Sequence, residues 1–117
     1  MKNNSTNTLS RKKCIPCEGG TLPLTHNEAQ VLLGKLDSEW MLIDDAHMLA
    51  RTFKFKNFVQ TMKFVNEVAR IAEEEGHHPD IAIFYNVVEL TLWTHAVGGL
   101  SVNDFILASK IDTLDSK

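Results

Sequence analysis

The segment from Asn57 to Pro79 constrains the fold of this chain more than any other. Phe58, Met62, Val65, Ala69 and Ala72 recur at a 3.6-residue period, which predicts one long amphipathic helix with a single apolar face. Both ends carry boundary signals. Asn57 is placed to cap the first turn with Gln60 three residues on, Gly76 suits a left-handed residue just past the last turn, and Pro79 cannot continue the helix. Such a helix must lay its apolar face against other elements, and the sequence on either side supplies them in pairs.

Upstream, Thr25-His26-Asn27-Glu28 fits a capping box, and Ala29, Leu32, Leu33 and Leu36 follow at helical spacing, so a first helix is expected from about His26 to Leu36. Trp40 to Ile43 is a short apolar run closed by the turn residues Asp44-Asp45. His47 to Phe55 then alternates as a strand, with Leu49, Phe53 and Phe55 on one face and Arg51, out of character, in the same register. Downstream, Ile81 to Tyr85 and Val87 to Thr94 read as two strands joined around Asn86, the second with Val88, Leu90 and Leu92 on one side. Gly98-Gly99 breaks that strand, Ser101 caps a final helix, and Leu100 with Phe105 have the spacing of a hydrophobic staple. The order is αββαββα. Hairpin-length connections within each strand pair predict an α+β fold, a four-stranded antiparallel sheet with three helices packed on one face. Residues 1–23 read as a flexible N-terminal arm: the start is polar and ends in Arg11-Lys12-Lys13, and a CxxC turn follows, rich in Pro and Gly. Residues 24–117 read as one domain.

Charge and composition remove whole classes of function. With 12 Lys+Arg against 15 Asp+Glu the net charge is −3, which gives no electrostatic footprint for nucleic acid. Nowhere do 18 apolar residues run together, and the Asn/Ser/Thr-rich start lacks the apolar stretch of a secretory signal, so a soluble, cytoplasmic protein with neither membrane nor nucleic-acid partner is expected. No GxSxG, P-loop or GxGxxG motif is present. Cys14-x-x-Cys17 is half of a zinc signature without its other half, and His77 and His78 are neighbours that share no face of a helix or strand, so no metal site is expected. What survives is imidazole acid–base chemistry. His77 and His78 directly follow a helix and His95 ends the last strand, so the three are placed to share one cleft; His26 and His47 read as surface residues.

Taken together, Glu73-x-x-x-His77-His78-Pro79-Asp80, Tyr85, Leu92-x-Thr94-His95, Gly98-Gly99-Leu100-Ser101 and Asp104 resemble the pterin-4a-carbinolamine dehydratase family. Trp40, the Arg51-x-Phe53-x-Phe55 strand and Phe58 fit the same pattern, and Lys13-Cys14-x-Pro16-Cys17-Glu18-Gly19-Gly20 is similar to the start of bacterial members. The likeness runs from about Cys14 to Ile111, with two departures: Gly76 where members commonly have Ala or another small residue, and Trp93 where some have Ser. It implies the α+β fold above, a homodimer or homotetramer, and a hydro-lyase without a cofactor. The reaction it implies is loss of water from 4a-hydroxytetrahydrobiopterin to give quinonoid dihydropterin, in the recycling of tetrahydropterin after aromatic amino-acid hydroxylation. His77, His78 and His95 are then the catalytic residues, and Glu73, Thr94, Trp40 and Pro79 the substrate contacts. Asp104 is read as structural, an acid in the first turn of the last helix. The implied partners are the pterin substrate and a pterin-dependent aromatic amino-acid hydroxylase. Two other readings come with the resemblance: a protein-binding or dimerisation module that regulates a transcription factor or hydroxylase, and a role near molybdopterin metabolism.

Overall fold

The computed structural model describes residues 9–15 and 21–114. Among the described residues the chain forms the helices α1 (His26–Leu33), α2 (Phe58–Glu75) and α3 (Val102–Asp112) and the strands β1 (Met41–Ile43), β2 (Met48–Lys54), β3 (Asp80–Phe84) and β4 (Val87–Leu92). All neighbouring strands are antiparallel, in the order β1-β2-β4-β3. β4 therefore inserts between β2 and β3, the two strands that α2 connects. This is the architecture expected from the sequence, an α+β fold with one open sheet.

The alternation in β2 and β4 decides which face is core. Leu49, Phe53, Val88, Leu90 and Leu92 point to one side and are buried, and they form one cluster with Phe64, Val65 and Val68 of α2 and Phe105, Leu107 and Ile111 of α3. Phe53 and Phe55 both pack on Phe64, at 4.6 and 5.0 Å between ring centres. Helix α3 is buried nearly all round, from Asn103 to Ser109, and packs against α2.

Local signals operate largely as expected. Thr25 and Glu28 form both bonds of the capping box, and the Asn57 side chain accepts the Gln60 N–H. Gly76 closes α2 in the left-handed conformation at φ 66°. Three details differ. Helix α1 ends at Leu33 rather than Leu36: after Gly34 the chain tightens into three-residue turns, Lys35 N–H to Leu32 and Leu36 N–H to Leu33, which still bury Leu36. The buried face of α2 is rotated from the expected stripe, so Thr61, Phe64, Val68 and Ile71 point inward with Val65 and Ala72, while Phe58 and Ala69 are exposed. The larger aromatic and β-branched side chains take the core positions. In the β3–β4 hairpin the left-handed residue is Tyr85 (φ 51°), and Asn86 instead ties the turn to the end of β2, donating from Nδ2 to the Phe55 carbonyl.

Arg51 ties two elements together. Its guanidinium lies 4.3 Å from the Phe53 ring centre and donates to Asp112 Oδ1 at 2.8 Å, joining β2 to the end of α3. The indole N–H of Trp40 reaches the same carboxylate at 2.7 Å, and the Asp37 N–H binds its other oxygen at 3.0 Å. Burial pushes the pKa of Asp112 above the ordinary aspartate value, opposed by these three donors.

The expectation that the folded body begins at residue 24 needs correction. Leu9 is buried in the core cluster, Lys110 donates to the Ser10 carbonyl at 2.7 Å, and residues 13–15 are bound to α2 and α3. Cys17 and the remainder of the CxxC turn lie outside the described residues.

Candidate active site

The candidate site is built by three chain segments that the sheet and helices bring to one end of the molecule. The first is the exit of α2. The left-handed Gly76 turns the chain out of the helix, so that His77 follows outside it, its N–H closing back on the Ala72 carbonyl at 3.2 Å. The second follows β4. Thr94 pairs with Gly99 across a tight loop, its N–H bound to the Gly99 carbonyl at 2.8 Å, and His95–Val97 form a 3₁₀ turn closed by left-handed Gly98 at φ 70°. A side chain at position 99 would meet Pro23 Cβ at 2.9 Å and His47 Cδ2 at 3.2 Å, so glycine is required for the loop to seat there. The third segment is residues 13–15, laid across α2 and α3.

Between them lies a cleft of about 520 Å³ whose lining includes His77, His78, His95, Thr94 and Trp93. The structure thus brings together all three histidines singled out in the sequence, with Thr94. His77 Nε2 lies 2.6 Å from Asp104 Oδ1, and that carboxylate is fully buried. Thr94 Oγ1 donates to the other oxygen, Oδ2, at 2.8 Å, and the Ser101 N–H binds it at 2.9 Å. An ionised carboxylate only accepts, so Nε2 carries a proton toward Asp104, and in the neutral imidazole Nδ1 is then the acceptor. His78 is more open and lies 2.7 Å from Glu73, both side chains exposed. His95 is exposed and stacks on Trp93, ring centres 3.8 Å apart and planes 24° from parallel.

The other sequence candidates fall elsewhere. Trp40 is a core residue, 3% exposed, edge-on to Phe53 and bonded to Asp112, and it does not line the cleft; its N–H needed a buried acceptor and found one at the far end of α3. Trp93 is the tryptophan of the cleft. Pro79 is half-buried and leads the chain into β3 without lining the cleft, and Glu73 meets His78 rather than the cavity. Two features were missed in sequence. Asp104 reads locally as an ordinary helix-start acid, yet Oδ1 reaches a histidine 27 residues away. Residues 14 and 15 also line the cleft, although their surroundings in sequence look like a loose arm. Among the described residues, no three His, Cys, Asp or Glu side chains gather closely enough to hold a metal ion. Nor is any described helix long and apolar enough to cross a membrane.

Cys14 shows how closely the N-terminal segment is held. Its N–H binds Glu75 Oε1 at 2.9 Å, and its thiol points to the Asn103 carbonyl at 3.6 Å. Burial and the neighbouring Glu75 charge push the thiol pKa up to about 12. Burial also raises Glu75, but the Cys14 N–H, Lys110 and Lys13 outweigh it and hold that carboxyl below the usual range. The thiolate is the reactive form, so at pH 8 Cys14 should alkylate about 10³-fold more slowly than a free cysteine. Its rate should keep rising tenfold per pH unit well past pH 9, where an ordinary thiol levels off. Iodoacetamide labelling followed by peptide mass spectrometry reads both rates, and a Cys14 profile that levels off near pH 9 would contradict this placement.

Known proteins are similar to this one over most of the chain. The family model for pterin 4 alpha carbinolamine dehydratase matches residues 22–114. A protein of Nitrosomonas eutropha is 51% identical over 106 residues, covering 91% of this chain and 92% of its own, and one of Alkaliphilus metalliredigens is 45% identical over 111 residues, covering 95% and 99%. Both bear the name "putative pterin-4-alpha-carbinolamine dehydratase". Among solved structures, a transcriptional coactivator/pterin dehydratase from Brucella melitensis superposes with a TM-score of 0.75 at 34% identity, over 80% of this chain and 99% of that one. A pterin dehydratase-like protein, identified as a RuBisCO assembly factor in the alpha-carboxysome, gives a TM-score of 0.57 at 27% identity, over 65% and 88%. With the family model spanning almost all of the folded body and relatives this close over nearly their whole length, the chain belongs to the pterin 4 alpha carbinolamine dehydratase family.

Proposed function

We propose that this protein dehydrates 4a-hydroxytetrahydrobiopterin to quinonoid dihydropterin by histidine acid–base catalysis, as a hydro-lyase of tetrahydropterin recycling. The observation that carries the reading is the meeting of three histidines in one cleft, one of them backed by a fully buried carboxylate. The chemistry asks for two proton transfers. The hydroxyl on C4a leaves as water once it receives a proton, and the N5 proton departs as the C4a–N5 double bond forms. Imidazoles suit both steps near neutral pH. His77, with Nε2 committed to Asp104, has Nδ1 free to accept and is the base. His78 and His95 flank the leaving hydroxyl, one of them protonated as the acid. Trp93, stacked on His95, offers a flat wall to the pterin ring.

Following the absorbance decay of freshly generated 4a-hydroxytetrahydrobiopterin tests this. The wild-type protein should accelerate the decay over buffer, and His78→Ala and His95→Ala should each lower the rate by about 10²-fold or more. No acceleration by the wild type would remove the enzyme reading; full rates in both variants would remove the assignment of the two histidines.

A second reading, a protein-binding module, draws on edge strand β3, where Ile81, Ile83 and Phe84 are exposed together with nearby Tyr85. An apolar sheet edge invites pairing. We place a homodimer or homotetramer contact there, so light scattering should give a multiple of 13.2 kDa. A strict monomer would leave the edge for another partner, such as a pterin-dependent hydroxylase.

A further inference from the structure

We propose that Ile15 is a substrate-contacting residue that sets affinity at the cleft, and that Asn103 is the residue that positions it. The inference rests on the pterin reading above and adds a wall to the site from a segment outside the histidine motif.

Ile15 is fixed with unusual economy. The Asn103 side chain, on a residue only 6% exposed, accepts the Ile15 N–H at 3.0 Å through Oδ1 and donates to the Ile15 carbonyl at 2.5 Å through Nδ2. One buried amide thus takes both backbone polar groups of one residue, as a neighbouring strand would. The residue before it is anchored separately: Glu75, its side chain 5% exposed, accepts the Cys14 N–H and faces Lys13 at 3.7 Å and Lys110 at 3.6 Å. Yet the side chain these bonds hold in place is left 68% exposed at the cleft. A backbone tied at both groups with its apolar side chain held out to water is a poor way to fill a core. It is a good way to present an apolar surface to a ligand, since the ordering entropy is already met before the ligand arrives.

The composition of the cleft says what that ligand is. Its lining mixes polar groups, the imidazoles with Thr94 and Glu75, with the apolar side chains of Ile15, Ala96 and Trp93. A flat heterocycle with a polar edge and apolar faces satisfies both kinds of group. Ile15 contributes contact away from the reacting atoms, binding ground and transition states alike, so its loss weakens binding without slowing the chemical step.

The test compares Ile15→Ala, Asn103→Ala and the double variant in the full chain, by dehydration kinetics and by quenching of tryptophan fluorescence on titration with 7,8-dihydropterin. Ile15→Ala should raise KM and the dihydropterin Kd about five- to tenfold, with kcat changed less than twofold. Asn103→Ala should do the same, and the double variant should be no worse than Asn103→Ala, because Asn103 acts through Ile15. An active wild type whose KM and Kd are unmoved by Ile15→Ala overturns this inference and leaves the dehydratase reading standing. An inactive wild type that binds dihydropterin in an Ile15-dependent way does the reverse, and one that neither reacts nor binds overturns both. Ile15 is exposed, so its variant should fold even where Asn103→Ala does not.

Discussion

Asp104→Asn should fold and yet lose about 10³-fold in kcat for the dehydration. An asparagine has one oxygen to offer where Asp104 uses two. Oδ2 of Asp104 accepts from the Ser101 N–H and the Thr94 hydroxyl, and a backbone N–H can only donate. The amide oxygen must therefore take the Oδ2 position, which leaves the amide NH₂ facing His77 where Oδ1 had been. His77 Nε2 then has to accept, its proton moves to Nδ1, and the nitrogen assigned to take the substrate proton is no longer a base. Both donors to Oδ2 remain bound, so the fold should lose little. The tautomer change is visible in the ¹⁵N shifts of His77 and separates this cause from general damage. A variant within about threefold of the wild-type rate would show that Asp104 serves the helix start alone.

The second large effect is on stability. Asp112→Ala should cost about 3 kcal/mol, a fall of roughly 10 °C in the melting temperature for a domain of this size. Removal of the carboxylate strands three donors at once: the Arg51 guanidinium with its side chain 13% exposed, the Trp40 indole N–H and the Asp37 amide. The largest of these losses is the buried guanidinium, left with only the more exposed Asp37 carboxylate at 3.6 Å. The raised pKa of Asp112 shows that its ionised form is held there at a desolvation cost, so the ion pair itself contributes little net stability. Hence Arg51→Met combined with Asp112→Leu should recover much of what Asp112→Ala loses, since neither charge is then buried. Thermal denaturation of the three proteins decides the matter, and a double variant no better than Asp112→Ala would show that the pair is stabilising in its own right.

The elements were readable in the sequence wherever one local interaction decides the outcome. The Thr25–Glu28 box, the Asn57 cap, Gly76 and the alternation of Val88, Leu90 and Leu92 each act within a few residues, and each places its element correctly. The buried face of α2 was not readable to the residue, because Phe64, Val68 and Ile71 compete with Phe58 and Ala69 for the core and only the sheet decides between them. The same limit holds at the site. The motif carrying His77, His78 and His95 is local and was legible. Asp104 was not, because its helix-start role is a sufficient local explanation that hides the bond to His77. Trp40 and Trp93 look equivalent as flat side chains until Asp112 claims one and His95 the other. Cys14 and Ile15 sit in a segment of basic and turn residues whose partners, Glu75 and Asn103, lie far along the chain.

The position of Asp104 also has a consequence for chain statistics. His77, His78, Thr94, His95 and Asp104 all come from one short stretch, and the β3–β4 hairpin together with the packing of α3 on α2 already closes the loops between them. The entropy of bringing distant parts of a flexible chain together rises only with the logarithm of their separation, and here the separations are 10 residues from Thr94 to Asp104 and 27 from His77. The geometry of the histidines and Asp104 is therefore a by-product of a contiguous folding unit, and the long-range closure the cleft needs falls on the Ile15 wall alone, joined to Asn103 across 88 residues.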